Sequence, residues 1–439
     1  MALPTIYFDT GGATTNSGST DTATATLTGT AATVAGSVVT LLTDNPDLSA
    51  IPTDGSATIA LADASNSNQK IFKITAVDNT VGVKTVTVSV APTGVVSSAW
   101  AIGGQMVYTP ANWEGAAAAG WIFQFNNSPA SRSGAAFLTC RASGNGTDGY
   151  ITVRGKSGVR PVLTITDTNN VQNSNSQALW WFENLEYVQQ GASGNVLTFM
   201  TGGVHYNVKV SDGGGVVGGL GNCERYIGCE FSGLANHCFD AGQVFYVHGC
   251  YIHDVGGVGI KNSNQGLSSF TFNVIDTCGG QGIQITAAPT DSNNNGYRIL
   301  NNTVYGCGNS GLEITDKDQE VEMIGNIFQD NGNAAGEFNV EWLAGTAELV
   351  SIHLYNVFYH AGGGGGANLS GLTANATEST SDPLFVNAAG GDFSLKAGSP
   401  AKHAGFPGQL LGGSLGYLDM GAVQMRGFPA PIFGGMVVS

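Results

Sequence analysis

The chain has 439 residues and a formal net charge of −16, with 16 lysines and arginines against 32 aspartates and glutamates. This balance argues against a nucleic-acid partner, because binding to phosphates needs clustered basic side chains. No stretch approaches the ~20 apolar residues of a membrane-spanning helix, so we expect no membrane partner. The 65 glycines and the low charged fraction of 11% are typical of a turn-rich β protein with a weakly charged surface.

Residues 1–115 predict a small antiparallel β domain. Apolar and polar residues alternate over 57–61, 70–75 and 84–90, and polar turns separate these segments. Short alternating runs joined by polar turns are typical of hairpins.

A short phrase is repeated eight times between Trp181 and Ala361, with an Asn or Gly between apolar residues. The Asn or Gly positions are Asn184, Asn207, Gly228, Gly249, Asn273, Asn302, Asn326 and Asn356, which gives spacings of 21–30 residues. A period of this length indicates a solenoid, in which each coil buries its apolar face against its neighbours. The apolar residues alternate as they do in strands, and no long segment shows helical spacing.

A second series follows the Asn or Gly by 9 or 10 residues, at Gly259-Ile260, Gly282-Ile283 and Gly311-Leu312. Each coil therefore holds at least two short strands. We predict an all-β fold, with a right-handed parallel β-helix over residues 116–366, because parallel crossovers are overwhelmingly right-handed. A β-sandwich or propeller is the alternative, but the period is short for a four-stranded blade.

The seven cysteines indicate buried thiols rather than disulfides. Cys229 and Cys250 occupy one position of the repeat, and Cys278 and Cys307 occupy another. Cysteine behaves as a small apolar residue in such stacks. The odd count has no disulfide framework pattern, and no paired-cysteine or helical histidine motif predicts a metal site. We expect no cofactor.

Residues 367–439 predict a C-terminal segment that packs along the solenoid or covers its last coil. Gly362 to Gly366 interrupt the repeat before it and suggest a flexible exit. The apolar end, residues 431–439, is consistent with a subunit contact or a docked strand.

The C-terminal segment resembles the closing segment of many right-handed parallel β-helix repeat proteins. The resemblance rests on an ordered set of phrases: Ser381-Asp382-Pro383-Leu384-Phe385, Gly391-Asp392-Phe393, Gly398-Ser399-Pro400-Ala401 and Asp419-Met420-Gly421-Ala422. Polysaccharide lyases, surface proteins and phage proteins share this set, so it implies an architecture rather than an activity.

The N-terminal region is similar to the heads of β-helix proteins from bacteriophages. The phrases are Asn45-Pro46-Asp47-Leu48-Ser49, Phe72-Lys73-Ile74-Thr75 and Ser98-Ala99-Trp100-Ala101-Ile102. The resemblance implies a virion protein of the tailspike, tail-fibre or decoration kind, usually a homotrimer. The first five residues lack a secretory signal, which favours synthesis in the host cytoplasm and release within a virion.

One row of outward side chains is the candidate catalytic site. The second series predicts that Asp240, Lys261, Gln284 and Glu313 stack on neighbouring coils about 5 Å apart. A lyase needs a base and a cation, and a hydrolase needs two carboxylates roughly 5–9 Å apart. Asp240, Lys261 and Glu313 are therefore candidate catalytic residues, although Asp240 and Glu313 lie three coils apart. The alternative for Asp240 and Lys261 is a surface ion pair.

Three further groups are weaker candidates. Gln284, Trp342 and Tyr359 could bind a glycan, and so could Trp180, Trp181, Tyr187 and Tyr355 where they do not point inward. His253-Asp254 and Asp276 fall at one corner of adjacent coils, with Asp330 further along, and could equally be solvated corner residues. The acidic run 316–322 could hold Ca²⁺, but it lacks the spacing of a known calcium loop and reads as a charged turn.

These features predict a bacteriophage virion protein, of the tailspike or fibre kind, that attaches by residues 1–115 and presents the β-helix to host-surface polysaccharide. Its expected partners are itself, other virion proteins and that polysaccharide. A decoration protein with no receptor role is one alternative. A polysaccharide lyase or glycoside hydrolase that uses the Asp240–Glu313 face is another.

Overall fold

Parallel strands dominate the part of the chain that the structure describes. A computed structural model of the protein describes residues 5–9, 20, 27–29, 31–42, 46–61, 71–82, 84–92, 99–103, 121–140, 142–173, 177–191, 196–198, 201–211, 216–217, 224–241, 245–262, 267–286, 296–315, 320–332, 337–342, 352–361, 369–405, 407–409 and 415–423. The contacts divide the chain into a first unit, 1–164 with 171–186, and a second unit, 165–170 with 187–439. The predicted flexible exit, the start of the acidic run, Cys223 and the apolar end lie outside the described residues.

The first unit contains the predicted antiparallel sheet. Its seven strands are, in spatial order, Leu27–Gly29, Trp100–Ile102, Thr58–Leu61, Ile71–Asp78, Lys84–Val88, Val38–Leu41 and Ala32–Ala35. Alternate side chains of these strands, among them Ile59, Phe72 and Val86, are fully buried and pack with Trp100 in one apolar core. The hairpins expected from the polar turns are therefore present.

A parallel sheet, here called sheet A, also belongs to the first unit. Its strands are Thr5–Phe8, Ile122–Phe125, Ile151–Gly155 and Trp180–Glu183. The first of these corrects the expectation that residues 1–115 stand apart from the coils, because Ile6 lies opposite Phe123 and Phe8 opposite Phe125. The strand Thr5–Phe8 has only four residues and contains no copy of the repeated phrase, so the sequence alone did not place it in the coils. The antiparallel sheet is thus inserted between two neighbouring strands of sheet A.

Two strand pairs complete the early coils. Leu138–Thr139 pairs in parallel with Gln172–Asn173. Val162–Ile165 and Glu186–Gln189 are the remaining strands of this part of the chain.

Three parallel sheets build the second unit, and each coil contributes one strand to each sheet. Sheet B contains Val204–Tyr206, Glu224–Ile227, Phe245–His248, Ser268–Thr271, Gly296–Leu300, Glu320–Ile324 and Ile352–Leu354. Sheet C contains Leu197–Thr198, Val216–Val217, Phe239–Ala241, Ile260–Asn262, Ile283–Ile285, Leu312–Ile314, Val340–Trp342 and Leu369–Ser370. Sheet D contains Lys209–Ser211, Glu230–Ser232, Tyr251–His253, Val274–Asp276, Thr303–Tyr305, Ile327–Gln329 and Val357–Tyr359. The prediction of a parallel β solenoid is confirmed, with three strands per coil.

The repeated Asn or Gly occupies two different sites of the coil. In the early coils Asn184, Asn207, Gly228 and Gly249 form the corner itself and have positive φ, between 51° and 61°. In the later coils the positive-φ corner is Phe272, Asn301, Gly325 or Tyr355, and the Asn of the repeated phrase follows it. Asn suits both sites, because its short amide tolerates left-handed backbone and can also bond between coils.

The later site is a fully buried ladder of four asparagines, Asn273, Asn302, Asn326 and Asn356. Each Oδ1 from Asn302 onward accepts bonds from the backbone N–H and the Nδ2 of the asparagine one coil earlier, at 2.8–3.0 Å. Each Nδ2 also donates to a backbone carbonyl of sheet B, such as Phe270 O for Asn302. The buried amides are therefore satisfied, as burial requires.

The cysteines that the structure describes are buried thiols. Six cysteines, Cys140, Cys229, Cys238, Cys250, Cys278 and Cys307, are free and buried. Burial raises the pKa of Cys238 well above its usual value, which keeps the thiol protonated. For these six residues the prediction of buried thiols is confirmed.

The C-terminal segment packs along the outer face of sheet D. Its antiparallel strands Phe385–Asn387 and Asp392–Leu395 flank a 3₁₀ turn, Ala388–Gly390, and a second antiparallel pair joins Pro407–Gln409 to Leu415–Tyr417. Outward residues of sheet D form one apolar cluster with this segment. The buried members are Val274, Ile327, Val357, Phe385, Phe393, Leu395, Ala401, Met420 and Ala422.

Candidate functional site

Sheet C carries a continuous row of outward polar side chains on successive coils. Its six positions are in direct register and are occupied by Asp240, Lys261, Gln284, Glu313, Glu341 and Ser370. Their strand neighbours point inward: Ile260, Ile283 and Leu312, for example, are fully buried. The strand alternation thus places the whole row on one face, as predicted for its first four members. We call these six residues the sheet C row.

The first two members form an ion pair. Lys261 Nζ lies 3.3 Å from Asp240 Oδ2, and the two side chains are 26% and 37% exposed. At this exposure the pair is screened by water and contributes little to stability. Both groups can exchange this contact for one with a ligand, because the geometry leaves them partly open to solvent.

Amides hold the next acid of the row in place. Gln284 Nε2 donates to both carboxylate oxygens of Glu313 at 3.4 Å, and Gln281 makes a closer hydrogen bond to the same group. Glu313 is only 9% exposed. Its carboxylate is therefore fixed in direction rather than free to rotate.

Glu341, one coil further along, belongs to a small acidic cluster. The Ser310 hydroxyl lies 3.1 Å from Glu341 Oε2 and 2.9 Å from Glu337 Oε2, and Ser310 N–H donates to Glu337. Burial raises the pKa of the Glu341 carboxyl, and the charges of Glu313 and Glu337 raise it further, against a lowering contribution from Ser310. A carboxyl of this kind holds its proton to higher pH than an isolated glutamate.

The acids of the sheet C row differ in how close they lie to one another. Asp240 and Glu313 are separated by the Lys261 and Gln284 coils, which confirms that they are too far apart to act as a pair. Glu313 and Glu341 are direct neighbours, and in-register parallel strands lie ~4.8 Å apart. Sequence reasoning missed Glu341, because its coil has Asn339-Val340 where the second series has a Gly-apolar pair such as Gly311-Leu312. The acid directly after that pair, as Glu313 directly follows Gly311-Leu312, was the available signal.

The three predicted glycan-binding residues do not come together. Gln284 belongs to the sheet C row, but Trp342 follows Ile285 and Ile314 in an inward column of the same sheet. Tyr359 lies on sheet D, opposite Gln329, and packs with the C-terminal segment. Spacing along the chain could not show this, because it gives the period of a coil but not the sheet on which a residue falls.

Two of the other aromatic candidates are buried. Trp180 and Tyr187 are both 0% exposed, whereas Trp181 alternates with Trp180 and faces outward on sheet A. Tyr355 is a corner residue of sheet B with φ 57° and is partly buried against the C-terminal segment. Of these four, Trp181 is the one whose side chain faces outward from the middle of a strand.

The predicted corner group on sheet D is a connected set of titratable side chains. His253 Nδ1 lies 2.7 Å from Asp254 Oδ2, and its Nε2 lies 3.5 Å from Glu230 Oε1, which also pairs with Lys209 Nζ at 3.1 Å. Burial alone would lower the pKa of His253, but the bonds to Glu230 and Asp254 outweigh it and raise the pKa. The hydrogen bond from His253, with Lys209, lowers the pKa of Glu230 to about 2. These residues are mutually paired rather than simply solvated.

Asp276 is the unusual member of this corner. It is 7% exposed, and the Tyr251 hydroxyl donates to its Oδ2 at 3.3 Å. Burial raises the pKa of Asp276 to about 6, although Tyr251 and His253 act to lower it. Asp330, further along the corner, accepts a hydrogen bond from Ala361 N–H at 2.6 Å.

No group of three or more His, Cys, Asp or Glu side chains among the described residues is arranged to hold a metal ion. Within the same residues, no helix has the length and apolar character to cross a membrane.

Comparison with known proteins supports the architecture. Residues 199–340 match the family model for the right handed beta helix region. The chain contains a right-handed parallel β-helix. A comparison with curated protein sequences finds no match.

Two solved structures are similar to this β-helix chain at low sequence identity. The crystal structure of pectate lyase Pel9A is 14% identical with a TM-score of 0.45, over 74% of this chain and 92% of that chain. The tailspike protein gp49 from Pseudomonas phage LKA1 is 12% identical with a TM-score of 0.20, over 87% of this chain and 71% of that chain. Likeness at this level concerns the fold alone, so the chemistry of the β-helix has to come from its own side chains.

Proposed function

We propose that this β-helix protein binds a polysaccharide along the sheet C row, as the glycan-facing arm of a bacteriophage virion protein. The observation that carries the proposal is the register of Asp240, Lys261, Gln284, Glu313 and Glu341 on five successive coils. The row offers both donors and acceptors at a constant repeat of ~4.8 Å. A linear chain of hydroxylated rings, which presents hydrogen-bonding groups at intervals, suits such a row.

The virion assignment rests on sequence. The head and closing phrases resemble those of bacteriophage β-helix proteins, and a charged fraction of only 11% suits a subunit of an assembly. On this proposal the protein is a homotrimer that attaches to other virion proteins by its antiparallel domain and faces the host-surface polysaccharide. A decoration protein would share the attachment but not the binding.

An array of purified bacterial capsule and lipopolysaccharide glycans tests the binding. We expect the protein to bind at least one glycan, and we expect Lys261→Gln and Gln284→Ala each to weaken that binding by about tenfold, the loss of one or two hydrogen bonds. Lys209→Gln is the matched control, because Lys209 forms a comparable surface pair with Glu230 at 3.1 Å on sheet D.

Particle location and oligomeric state are tested separately. Light scattering should give a mass near three times 45.0 kDa, and an antibody should label phage particles in electron micrographs. Labelled particles without glycan binding would favour the decoration protein. Glycan binding by a monomer that labels no particle would contradict the virion role.

A second candidate function is glycoside hydrolysis at Glu313 and Glu341. Retaining glycosidases hold their two carboxyl groups ~5–5.5 Å apart, and the in-register strands that carry Glu313 and Glu341 lie at a similar spacing of ~4.8 Å. Glu341, whose pKa is raised by burial, would donate the proton to the leaving oxygen. Glu313, held in direction by Gln281 and Gln284, would attack the sugar carbon and form a glycosyl ester that water then hydrolyses.

The release of reducing ends from a bound glycan tests this candidate. Glu341→Gln should lower the rate by roughly 10²–10⁴-fold, the usual contribution of an acid–base group. Glu313→Gln should abolish the release of reducing ends, because it removes the attacking carboxylate. Glu322→Gln is the control, because Glu322 is an outward carboxylate on sheet B, paired with Arg298 at 2.9 Å, and its loss should leave the rate unchanged. Glycan binding without release of reducing ends would support the glycan-binding proposal and contradict the hydrolase.

A further inference from the structure

Sheet A of the first unit has two outward aromatic rings side by side. Trp180 and Phe182 are fully buried and stack on each other at 5.9 Å, so the intervening Trp181 points to the outer face. The Tyr150 ring meets the Trp181 ring edge-on at 6.0 Å, with an angle of 81° between the planes. Both side chains are partly exposed. A partly exposed aromatic ring supported in this way offers an apolar face next to solvent.

One guanidinium lies beside this pair. Arg154 is in register with Gln124 on one side and Glu183 on the other. Arg154 Nε donates to Gln124 Oε1 at 3.1 Å, and Gln124 is held in turn by its bond to Asn126 Oδ1 at 3.1 Å. Among the described residues, the two terminal nitrogens of Arg154 make no hydrogen bond or ion pair. The side chain is thus oriented through Nε, while its terminal nitrogens are available to an anion.

Glu183 is held apart from this guanidinium. Its Oε2 accepts a hydrogen bond from Trp181 Nε1 at 3.2 Å, and within the described part of the chain it forms no ion pair with Arg154. The carboxylate therefore fixes the Trp181 ring and keeps its other oxygen open to a hydroxyl donor. One surface presents a ring face, a cation and a carboxylate as separate groups.

We propose that Tyr150, Arg154, Trp181 and Glu183 form a binding site for an acidic saccharide, such as a uronic-acid residue. The sugar ring packs on the Trp181 indole, with the Tyr150 ring at its side. The terminal nitrogens of Arg154 form a bidentate pair with the sugar carboxylate, for which the guanidinium fork is suited. Glu183 accepts a hydrogen bond from a ring hydroxyl. This acid-saccharide site belongs to the first unit and goes beyond the sheet C row.

Calorimetric titration with oligogalacturonate, and with galactan oligosaccharide as its neutral counterpart, tests the site at low ionic strength. We expect the wild-type protein to prefer the acidic oligosaccharide. Arg154→Gln should weaken binding of the acidic probe by at least about tenfold and remove the preference, because it deletes the charge-assisted pair. Trp181→Ala should weaken binding of both probes, since both place a ring on the indole.

Arg225→Gln is the matched control, because Arg225 also faces outward beside an aromatic ring, that of Tyr246 at 5.6 Å on sheet B. This variant should bind both probes as the wild type does. Circular dichroism and thermal melting check that each variant is folded; should Trp181→Ala unfold, the comparison of Arg154→Gln with Arg225→Gln decides alone.

Equal affinity of the wild type for the two probes, binding of neither, or an unchanged affinity in Arg154→Gln would each overturn the acid-saccharide site. Lys261→Gln separates this outcome from the proposed function. A glycan whose binding depends on Lys261 but not on Arg154 would leave the sheet C row standing and remove the site on sheet A.

Discussion

Asn356 and Glu378 are joined by a hydrogen bond of 2.7 Å, from Asn356 Nδ2 to Glu378 Oε1, and this bond ends the asparagine ladder on a carboxylate. Every earlier Nδ2 in the ladder donates to the Oδ1 of the next asparagine. At the last coil no further asparagine follows, and the C-terminal segment supplies Glu378 instead. The segment thus completes the interior of the solenoid in addition to covering its outer face.

Replacing Glu378 by Gln should destabilise the protein. The carboxylate is 0% exposed and accepts from Asn356 Nδ2, from Asn375 N–H at 2.9 Å and from His353 Nδ1 at 3.0 Å. A glutamine would turn one amide donor toward these donors, which leaves a buried group unsatisfied at a cost of about 1–3 kcal/mol. Urea unfolding measures this loss. A stability equal to that of the wild type would show that the carboxylate does not terminate the ladder.

Replacing Asn302 by Ala should cost more than the loss at Glu378. It removes the acceptor for Asn273 N–H and Nδ2 and the donor to Asn326 Oδ1, all of which are buried. With two donors left unsatisfied at about 1–3 kcal/mol each, we expect a loss of roughly 2–6 kcal/mol. The same urea denaturation measures it.

Asn207→Gly serves as the control for the ladder variant. Asn207 also belongs to the repeated phrase, but it is a corner residue with φ 51°, a conformation that Gly adopts without strain. We expect its stability to stay within about 1 kcal/mol of the wild type. Equal losses for Asn207→Gly and Asn302→Ala would mean that the ladder bonds are not what the later asparagines provide.

The sequence predicted the coil but not the two uses of its asparagines. Period and alternation gave the parallel strands, because burial in a solenoid repeats with every coil. Asn207 and Asn273 look equivalent in the sequence, yet one bends the chain and the other bonds between coils. The distinction depends on φ at a single residue, and the residue type does not determine that angle.

The candidate site was partly predictable for the same reason. Asp240, Lys261, Gln284 and Glu313 follow the repeat, so their stacking could be read from spacing. Arg154 lies before the repeat begins, and Trp181 lies at its start. Their proximity depends on strand register, which insertions between coils alter without a mark in the local sequence.

Replacing Gly282 by Ala should destabilise the second unit. An added Cβ would lie 2.4 Å from Val304 Cγ1 and 2.7 Å from Gly311 O, inside the packed interior. Overpacking of this kind costs typically 1–3 kcal/mol. Gly398→Ala is the control, because a Cβ there meets nothing within 4 Å. We expect the first variant to melt at lower temperature and the second to match the wild type. Similar melting of both would contradict the tight packing around Gly282.

The buried carboxyl of Asp276 should make stability depend on pH between about 4 and 6. Burial raises the pKa of Asp276 to about 6 from an ordinary value of 3.8, so the folded state binds this proton more tightly than the unfolded state. Where the folded state holds more protons, stability falls as pH rises. The stabilising effect of the protonated group is thus fully present below pH 4 and is lost as the pH rises through 6.

Asp276→Asn tests this directly, because it keeps a neutral side chain of the same size at every pH. We expect the variant to match the wild type near pH 4 and to be more stable than it at pH 7, with the gap opening between pH 4 and 6. Thermal melting across this range measures the difference between the two proteins, which cancels the contributions of other groups. His253 is present in both proteins. Its pKa is raised in the folded state, so its contribution to stability also falls as the pH rises. A difference in stability between the two proteins that does not change with pH would contradict the raised pKa of Asp276. So would a variant whose stability relative to the wild type falls between pH 4 and pH 7.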